Sequence, residues 1–540
     1  MMPDIDRRDF LRVSTAISLS AAVPADLFSQ AAKAAGPSAE WDAGPVRLLL
    51  PAVSDSRMLI KASFDAPLNS APTLQVDGTS LRGRMGDTRG EHWHFYATEL
   101  QPGRPYNLSF VGERGRKLCE PWELATFPAF DSQPRSFRLL IYTCAGGHEV
   151  HKFLPTAIRN RLLRRALSLA PQAVVANGDH LYWDLLAPVG SRMLGMHPDA
   201  IKLVGTFDRS EIVLGGDNET VLKRVAGPQI MPVYGTDFRS TPMFFMQDDH
   251  DYFDNDEATD DVVTFPPSWF MLQLARATQS MYYPEYLPDP TRPLGLPWSM
   301  VGDRVWGVSE SFGTLRYGRL VEILLYDVRR TQTLAGPSAV YLDPEAEKWL
   351  KARTGATTEA AHLVHVPSNP PGWTAGKWGE WYPDVLGADG KLTVKEPKPY
   401  WQSGWLKQHD RLMQAIAGMR SRIPLIISGD LHAIGVGHML RSGTLDFNSN
   451  PITTVLAGPI GSRTTPLGWP SGRRGTGALP PAHLDMVEEV KPIEQHGFTL
   501  VDFTPDRIVL RFFKWDYKTQ IADEIDTLQP FHTTELMRAS

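Results

Sequence analysis

Gly178-Asp179-His180-Leu181-Tyr182, directly after the apolar run Ala173-Val174-Val175-Ala176, decides how this chain is read. Such a run reads as a buried strand, and the glycine releases a tight turn at its end. Asp179 and Tyr182, three residues apart, can then both point at one cation. Two turns of similar chemistry lie downstream, Asp248-Asp249-His250-Asp251 and Gly429-Asp430-Leu431-His432. Together the three turns read as a site for more than one metal ion.

The surroundings of the first turn set the fold class. An apolar run over 138–142 precedes it, and 155–169 reads as a helix with Ile158, Leu162 and Ala166 on one face. That is a β-α-β unit, and further apolar runs at 243–246, 320–326, 363–366 and 424–427 continue an α/β domain. The carboxyl ends of these runs carry Cys144, Asp179, Asp248-Asp249-His250, Asp327, His365 or Ser368, and Asp430-Leu431-His432. In open α/β sheets ligands bind beyond the carboxyl ends of strands, where loops converge on a fixed base. No Gly-x-Gly-x-x-Gly or Walker-type loop occurs, so nucleotide-cofactor readings lose support.

Residues 44–130 have a different texture, with short alternating strands separated by turn residues, as in a small β-sandwich. Leu100-Gln101-Pro102-Gly103-Arg104-Pro105-Tyr106 resembles the fibronectin type III turn that sets a tyrosine hydroxyl against nearby backbone. A Pro-containing linker follows, and the α/β domain is expected over 136–540. The long stretches 184–242 and 254–318, rich in Pro, Gly and Asp, read as connections that wall or cover a pocket.

Residues 1–34 read as an export signal. Asp6-Arg7-Arg8-Asp9-Phe10-Leu11-Arg12 resembles the twin-arginine signature, a mild apolar run follows, and Ala32-Lys33-Ala34 offers a cleavage site. Export through the twin-arginine machinery to the periplasm or beyond is the expectation, with no membrane span after the signal is removed, since no later run approaches ~20 apolar residues. In an exported chain the two cysteines, Cys119 and Cys144, form a disulfide by default. The strand-end position of Cys144 competes with that reading and favours a metal ligand.

Bulk properties agree with a soluble protein of two or three domains: 540 residues, 42% hydrophobic, 21% charged, mean hydropathy −0.24. A net charge of −6 leaves no basic surplus for a nucleic acid backbone. The tryptophans Trp373, Trp378, Trp381, Trp401 and Trp405 read as indoles that pin loops.

The turns suit phosphate ester hydrolysis, which needs a nucleophile at neutral pH and compensation for charge on the phosphoryl oxygens. Two cations about 3.5–4 Å apart supply both. Asp179 is the candidate bridge. Thiolate and phenolate donors at Cys144 and Tyr182 favour iron over magnesium, while Asp249 and Asp430 offer hard oxygens to calcium, manganese, zinc or magnesium. His432 is expected to reach a different ion from Asp430, because side chains alternate along a strand. His250, between two carboxylates, is biased toward its charged form, which suits donating to a phosphate oxygen or the leaving group; a ligand role is the alternative. Asp327 reads as a turn residue, and Arg329 and Arg330 either bind phosphate or pair with acidic residues.

Cys144, Gly178-Asp179-x-x-Tyr182, Asp248-Asp249-His250-Asp251, Asp327-Val328-Arg329 and Ser428-Gly429-Asp430-Leu431-His432 resemble the motif series of the PhoD-like alkaline phosphatases, relatives of the purple acid phosphatases. The resemblance implies a calcineurin-like metallophosphoesterase fold of two mixed sheets flanked by helices, behind a fibronectin-like sandwich. It implies Fe(III) on Cys144, Asp179, Tyr182 and His432, and Ca(II) on Asp179, Asp249 and Asp430, with His250 facing phosphate. Asn255 is a further oxygen donor, and His365 resembles the middle histidine ligand of the purple acid phosphatases. The expected activity is phosphomonoesterase or phosphodiesterase, by in-line attack of a metal-bound hydroxide. The alternative is a catalytically weak, phosphatase-like protein that binds envelope polymer.

Overall fold

The computed structural model describes residues 41–183, 204–253, 266–297, 306–333, 336–356, 360–374, 385–386, 392–393, 403–462, 478–481 and 483–538. The expected signal over 1–34, Asn255, Trp378, Trp381 and Trp401 lie outside them.

Short strands in two antiparallel sheets build the leading part. Val46–Val53, Met58–Phe64, His92–Ala97 and Arg84–Met85 lie side by side in one antiparallel sheet, and Thr79–Arg82, Thr73–Val76, Pro105–Val111 and Trp122–Ala125 in another. The Tyr106 hydroxyl accepts a hydrogen bond from the Gln101 backbone N–H at 2.6 Å, as the corner motif implies. Pro105–Val111 alternates between core and solvent, whereas Met58–Phe64 is buried throughout. The reason is a helix, Trp269–Tyr282, packed on its outer face: Lys61 there is fully buried, pairs with Glu285 at 3.0 Å and donates to the Ser280 carbonyl at 2.7 Å. Residues 41–540 accordingly form one compact unit, in which the leading sheets share an apolar core with the α/β part.

Two mixed sheets make the rest. In the six-stranded sheet the order is Met243–Met246, Ala173–Asn177, Phe137–Tyr142, His496–Thr504, Arg507–Trp515 and His532–Met537, the first three parallel and the others antiparallel. In the second sheet Val321–Tyr326, His362–Pro367, Leu425–Ser428 and Ile452–Ala457 run parallel, with Phe312–Tyr317 antiparallel at one edge and Ile434–Ser442 and Leu484–Ile493 antiparallel at the other. The parallel strands read as unbroken apolar runs because both faces are covered: Ala173–Asn177, Val321–Tyr326 and Leu425–Ser428 are buried at every position. The carboxyl ends of the two parallel sets meet. Thr143 bridges to Pro459, the Thr143 hydroxyl donates to the Asn177 carbonyl at 2.6 Å, and Asn177 Nδ2 donates to the Pro367 carbonyl at 3.0 Å.

The long connections are not simple loops. Asp217–Tyr234 and Trp269–Tyr282 are helices. Pro228, Pro232 and Gly227 mask the first in the sequence, since each ordinarily breaks a helix. Burial of Val221, Leu222, Val225, Ile230 and Val233 outweighs them. Trp373 and Trp405 are buried as expected, their indoles donating to Glu488 at 3.1 Å and to the Thr333 carbonyl at 2.9 Å.

An ionic cluster ties the leading sandwich to the helix Asp217–Tyr234. Lys223 lies 2.5 Å from Asp87, 2.8 Å from Glu91 and 3.0 Å from Glu219. Glu219 also accepts from the Thr88 N–H at 3.1 Å, the Thr88 hydroxyl at 2.6 Å and the Gly215 N–H at 2.8 Å. Burial opposes its ionisation, but these donors and Lys223 prevail and hold its pKa at about 2, against an ordinary value of 4.5. A depressed carboxylate pKa contributes stability that is present above about 4.5 and is lost as pH falls through about 2. Glu219→Gln should therefore lower unfolding free energy at pH 7 by roughly 1–3 kcal/mol. In urea titrations the gap from wild type should shrink as pH approaches 2; a gap independent of pH would show that the charge of Glu219 contributes nothing.

Candidate metal centre

Every expected ligand within the described residues except His365 comes to the meeting point of the two sheets. Cys144 leaves Phe137–Tyr142, Asp179 leaves Ala173–Asn177, Asp249 follows Met243–Met246, and Asp430 and His432 follow Leu425–Ser428. Four of these residues have left-handed backbones: φ is 52° at Cys144, 56° at Asp179, 67° at Asp430 and 51° at His432. For residues with a side chain such angles cost about 1–3 kcal/mol each and persist where the surroundings enforce them, above all at functional sites. The enforcement is visible. Gly178 has φ 77°, and a Cβ there would come within 2.4 Å of Asp248 Cβ; a Cβ on Gly429 would come within 2.4 Å of Thr143 Oγ1. Only glycine lets the turns approach this closely.

Asp251 fixes two of the turns to each other. Its carboxylate accepts the N–H groups of Asp179 at 2.8 Å, His180 at 3.0 Å and Asp248 at 2.9 Å. His180 is buried behind them, 2.7 Å from the Met246 carbonyl, and burial lowers its pKa to about 3, so it is a neutral packing residue.

The two oxygens of Asp179 face different neighbours. Oδ2 lies 3.2 Å from Cys144 Sγ, 2.9 Å from the Tyr182 hydroxyl and 3.7 Å from His432 Nε2, and Tyr182 Oη lies 3.0 Å from His432 Nε2. Oδ1 accepts the His250 N–H at 3.3 Å, on the side of Asp249. Asp179 thus belongs to two groups whose ligand atoms lie within 4.8 Å of one another, one with Cys144 and His432, the other with Asp249 and His250. Asp248, Asp249 and Asp430 make an adjoining group. The His250 ring packs on Tyr182 with centroids 4.2 Å apart.

The donor chemistry fits cations. Burial, followed by the Asp179 charge, pushes the Cys144 thiol and the Tyr182 phenol well above their usual ranges. A positive ion among them reverses that balance by stabilising thiolate and phenolate. Loading must displace protons, so it is favoured as pH rises.

His432 groups with Cys144 and Asp179, and Asp430 with Asp248 and Asp249, but strand alternation is not the reason. Both lie in a left-handed turn around buried Leu431. His365 is elsewhere: Nε2 is 3.0 Å from the Thr354 hydroxyl and Nδ1 is 3.4 Å from Tyr326 Oη. It sits inside His362–Pro367 facing the helix Pro344–Gly355, and burial lowers its pKa to about 3. That strand instead delivers Asn369, whose Nδ2 donates to Asp430 Oδ2 at 3.4 Å. Asp327 is a turn residue, accepting from Tyr252 Oη at 2.7 Å and the Arg330 N–H at 3.2 Å. Arg330 pairs with Glu310 at 2.8 Å, and Arg329 with Asp248 at 2.6 Å. Both cysteines are free, which excludes the disulfide; Cys119 is buried in the sandwich core.

No family model and no curated protein matches the sequence. Among solved structures, PhoD is similar with a TM-score of 0.58 and 14% identity, over 93% of this chain and 92% of PhoD. The purple acid phosphatase PPD1 from yellow lupin (Lupinus luteus) seeds is similar with a TM-score of 0.52 and 12% identity, over 92% of this chain and 74% of that one. At such identities the likeness is one of architecture, and the chain has the mixed α/β fold seen in PhoD and the purple acid phosphatase, with a small β-sandwich ahead of it.

Proposed function

We propose that this protein hydrolyses phosphate esters at a two-cation centre, as a PhoD-like phosphomonoesterase or phosphodiesterase. The observation that carries the proposal is the division of Asp179: one oxygen turned to Cys144, Tyr182 and His432, the other to the side of Asp249. A carboxylate directed both ways is the simplest bridge between two cations. Cys144, Asp179, Tyr182 and His432 would hold iron(III), and Asp179, Asp249 and Asp430 would hold calcium. When bound, such a pair supplies Lewis acidity toward the phosphoryl oxygens and a water nucleophile at neutral pH.

The chain's own residues then have distinct tasks. Tyr182 and His432 brace one another at 3.0 Å and fix the first half. Asp251, by gripping the backbone of Asp179 and Asp248, keeps the two halves in register. His250, packed against Tyr182, is held to donate a proton or hydrogen bond to a phosphate oxygen or the departing alkoxide. The Asp6-to-Arg12 signature supports export by the twin-arginine pathway as a folded, metal-loaded protein. Among the described residues no helix is long and apolar enough to cross a membrane.

The purified protein should contain iron and a divalent ion by mass spectrometry and hydrolyse p-nitrophenyl phosphate or its bis ester. Metal-replete protein inert toward both would refute the proposal in favour of a binding role. Tyr182→Phe should lose the visible phenolate-to-iron absorption, whereas His365→Gln should keep both colour and iron; colour that survives loss of Tyr182 would remove that residue from the ligand set. His250→Ala should keep its metals while kcat falls by roughly 10²–10⁴-fold, the usual contribution of a general acid.

A further inference from the structure

Asp248, Asp249 and Asp430 bring three carboxylates within 4.8 Å in a fully buried place, an arrangement that would ordinarily call for a cation of its own. The protein supplies one. Arg329, fully buried, reaches in from beyond the end of Val321–Tyr326. Its Nε donates to Asp248 Oδ1 at 2.6 Å, and its Nη2 lies 3.4 Å from Asp248 Oδ2 and 3.1 Å from Asp430 Oδ2. The guanidinium is anchored from behind, Nη1 donating to Gln332 Oε1 at 3.1 Å. A guanidinium keeps its charge in proteins, and here two buried carboxylates flank it.

We propose that Arg329 is a positioning residue for the second cation: it withdraws Asp248 from ligation and turns Asp430 toward the ion. The inference rests on the two-cation reading above. Asp430 Oδ2 accepts from both Arg329 and Asn369, which commits that oxygen and fixes the direction of the carboxylate. Asp248 is committed as well, both its oxygens to Arg329, while its backbone N–H is held by Asp251. Charge supports this: Asp248, outside the proposed ligand set, has Arg329 as its buried partner. The planar fork matters as much as the charge, because a lysine ammonium cannot span two carboxylates in the same plane.

The test is titration of the iron-loaded protein with calcium, with iron content and the visible band recorded for each variant. Arg329→Gln should keep iron and colour while binding calcium about 10-fold or more weakly, the usual effect of removing a partner that orients a ligand. Arg329→Lys should also bind weakly despite its retained charge. Because Arg329→Gln leaves Asp248 buried without its partner, the double variant Asp248→Asn/Arg329→Gln guards against misfolding: it removes the pair as a neutral unit, and it too should keep iron and bind calcium about 10-fold or more weakly, since Asp430 has lost its guide. Calcium affinity equal to wild type in Arg329→Lys or in the double variant would overturn the positioning role alone. A wild-type protein that takes up neither ion would overturn the two-cation reading and this inference with it.

Discussion

One carboxylate shared between two halves of a site must hold each oxygen in a set direction, and the arrangement at the sheet ends depends on Asp179 doing so. A side chain so short takes its direction from its backbone. Asp179 sits at φ 56°, between Gly178 at φ 77° and the buried His180. That conformation is unfavourable by itself, and it holds because Asp251 accepts the Asp179 and His180 N–H groups. The same carboxylate accepts the Asp248 N–H, so strain at one turn is offset by the acid turn beside it.

The second consequence is electrostatic. Burying Asp179, Asp248, Asp249, Asp251 and Asp430 beside a thiol and a phenol is costly unless positive charge is near. Arg329 supplies one part, between Asp248 and Asp430. Cations supply the rest in the proposed enzyme. Arg330, next in sequence, is spent elsewhere, on Glu310, Gln247 and Tyr252, which stiffens the layer under the acid turn. Two adjacent arginines thus divide the labour: one borders the centre and one supports it.

Much of this was legible in the sequence, and the reason is local. An apolar run ending in a glycine or acid turn marks a buried parallel strand and its functional end together, so Cys144, Asp179, Asp249 and Asp430 could be placed without a structure. What was not legible depended on direction or on distant partners. His365 lies on the right strand, but one residue type in a run of buried positions does not say which face it points to; it faces a helix, and Asn369 beyond the strand end reaches Asp430. Arg329 was ambiguous between phosphate and carboxylate because its partner is 81 positions away in the chain. The helix Asp217–Tyr234 was hidden by its prolines, since its stability comes from burial and not from propensity.

The residues of the candidate centre are drawn from two different sheets, and this sets where their spacing is determined. Cys144, Asp179 and Asp249 stand on the six-stranded sheet; Asp430, His432, Asn369 and Arg329 stand on the other. No single strand or loop carries both sides. Their separation is therefore fixed by how closely the sheets approach, through the Thr143 to Pro459 bridge, the Asn177 to Pro367 hydrogen bond and the seating of Gly429 against Thr143. Behind these contacts lies the apolar layer between the sheets, with Ile141, Val175, Val366 and Ile427 in it. A methylene lost or gained there changes the packing by which one sheet rests on the other. In the proposed two-cation centre the spacing of the carboxylates would tolerate little such change, so residues with no polar atom would share in setting the chemistry.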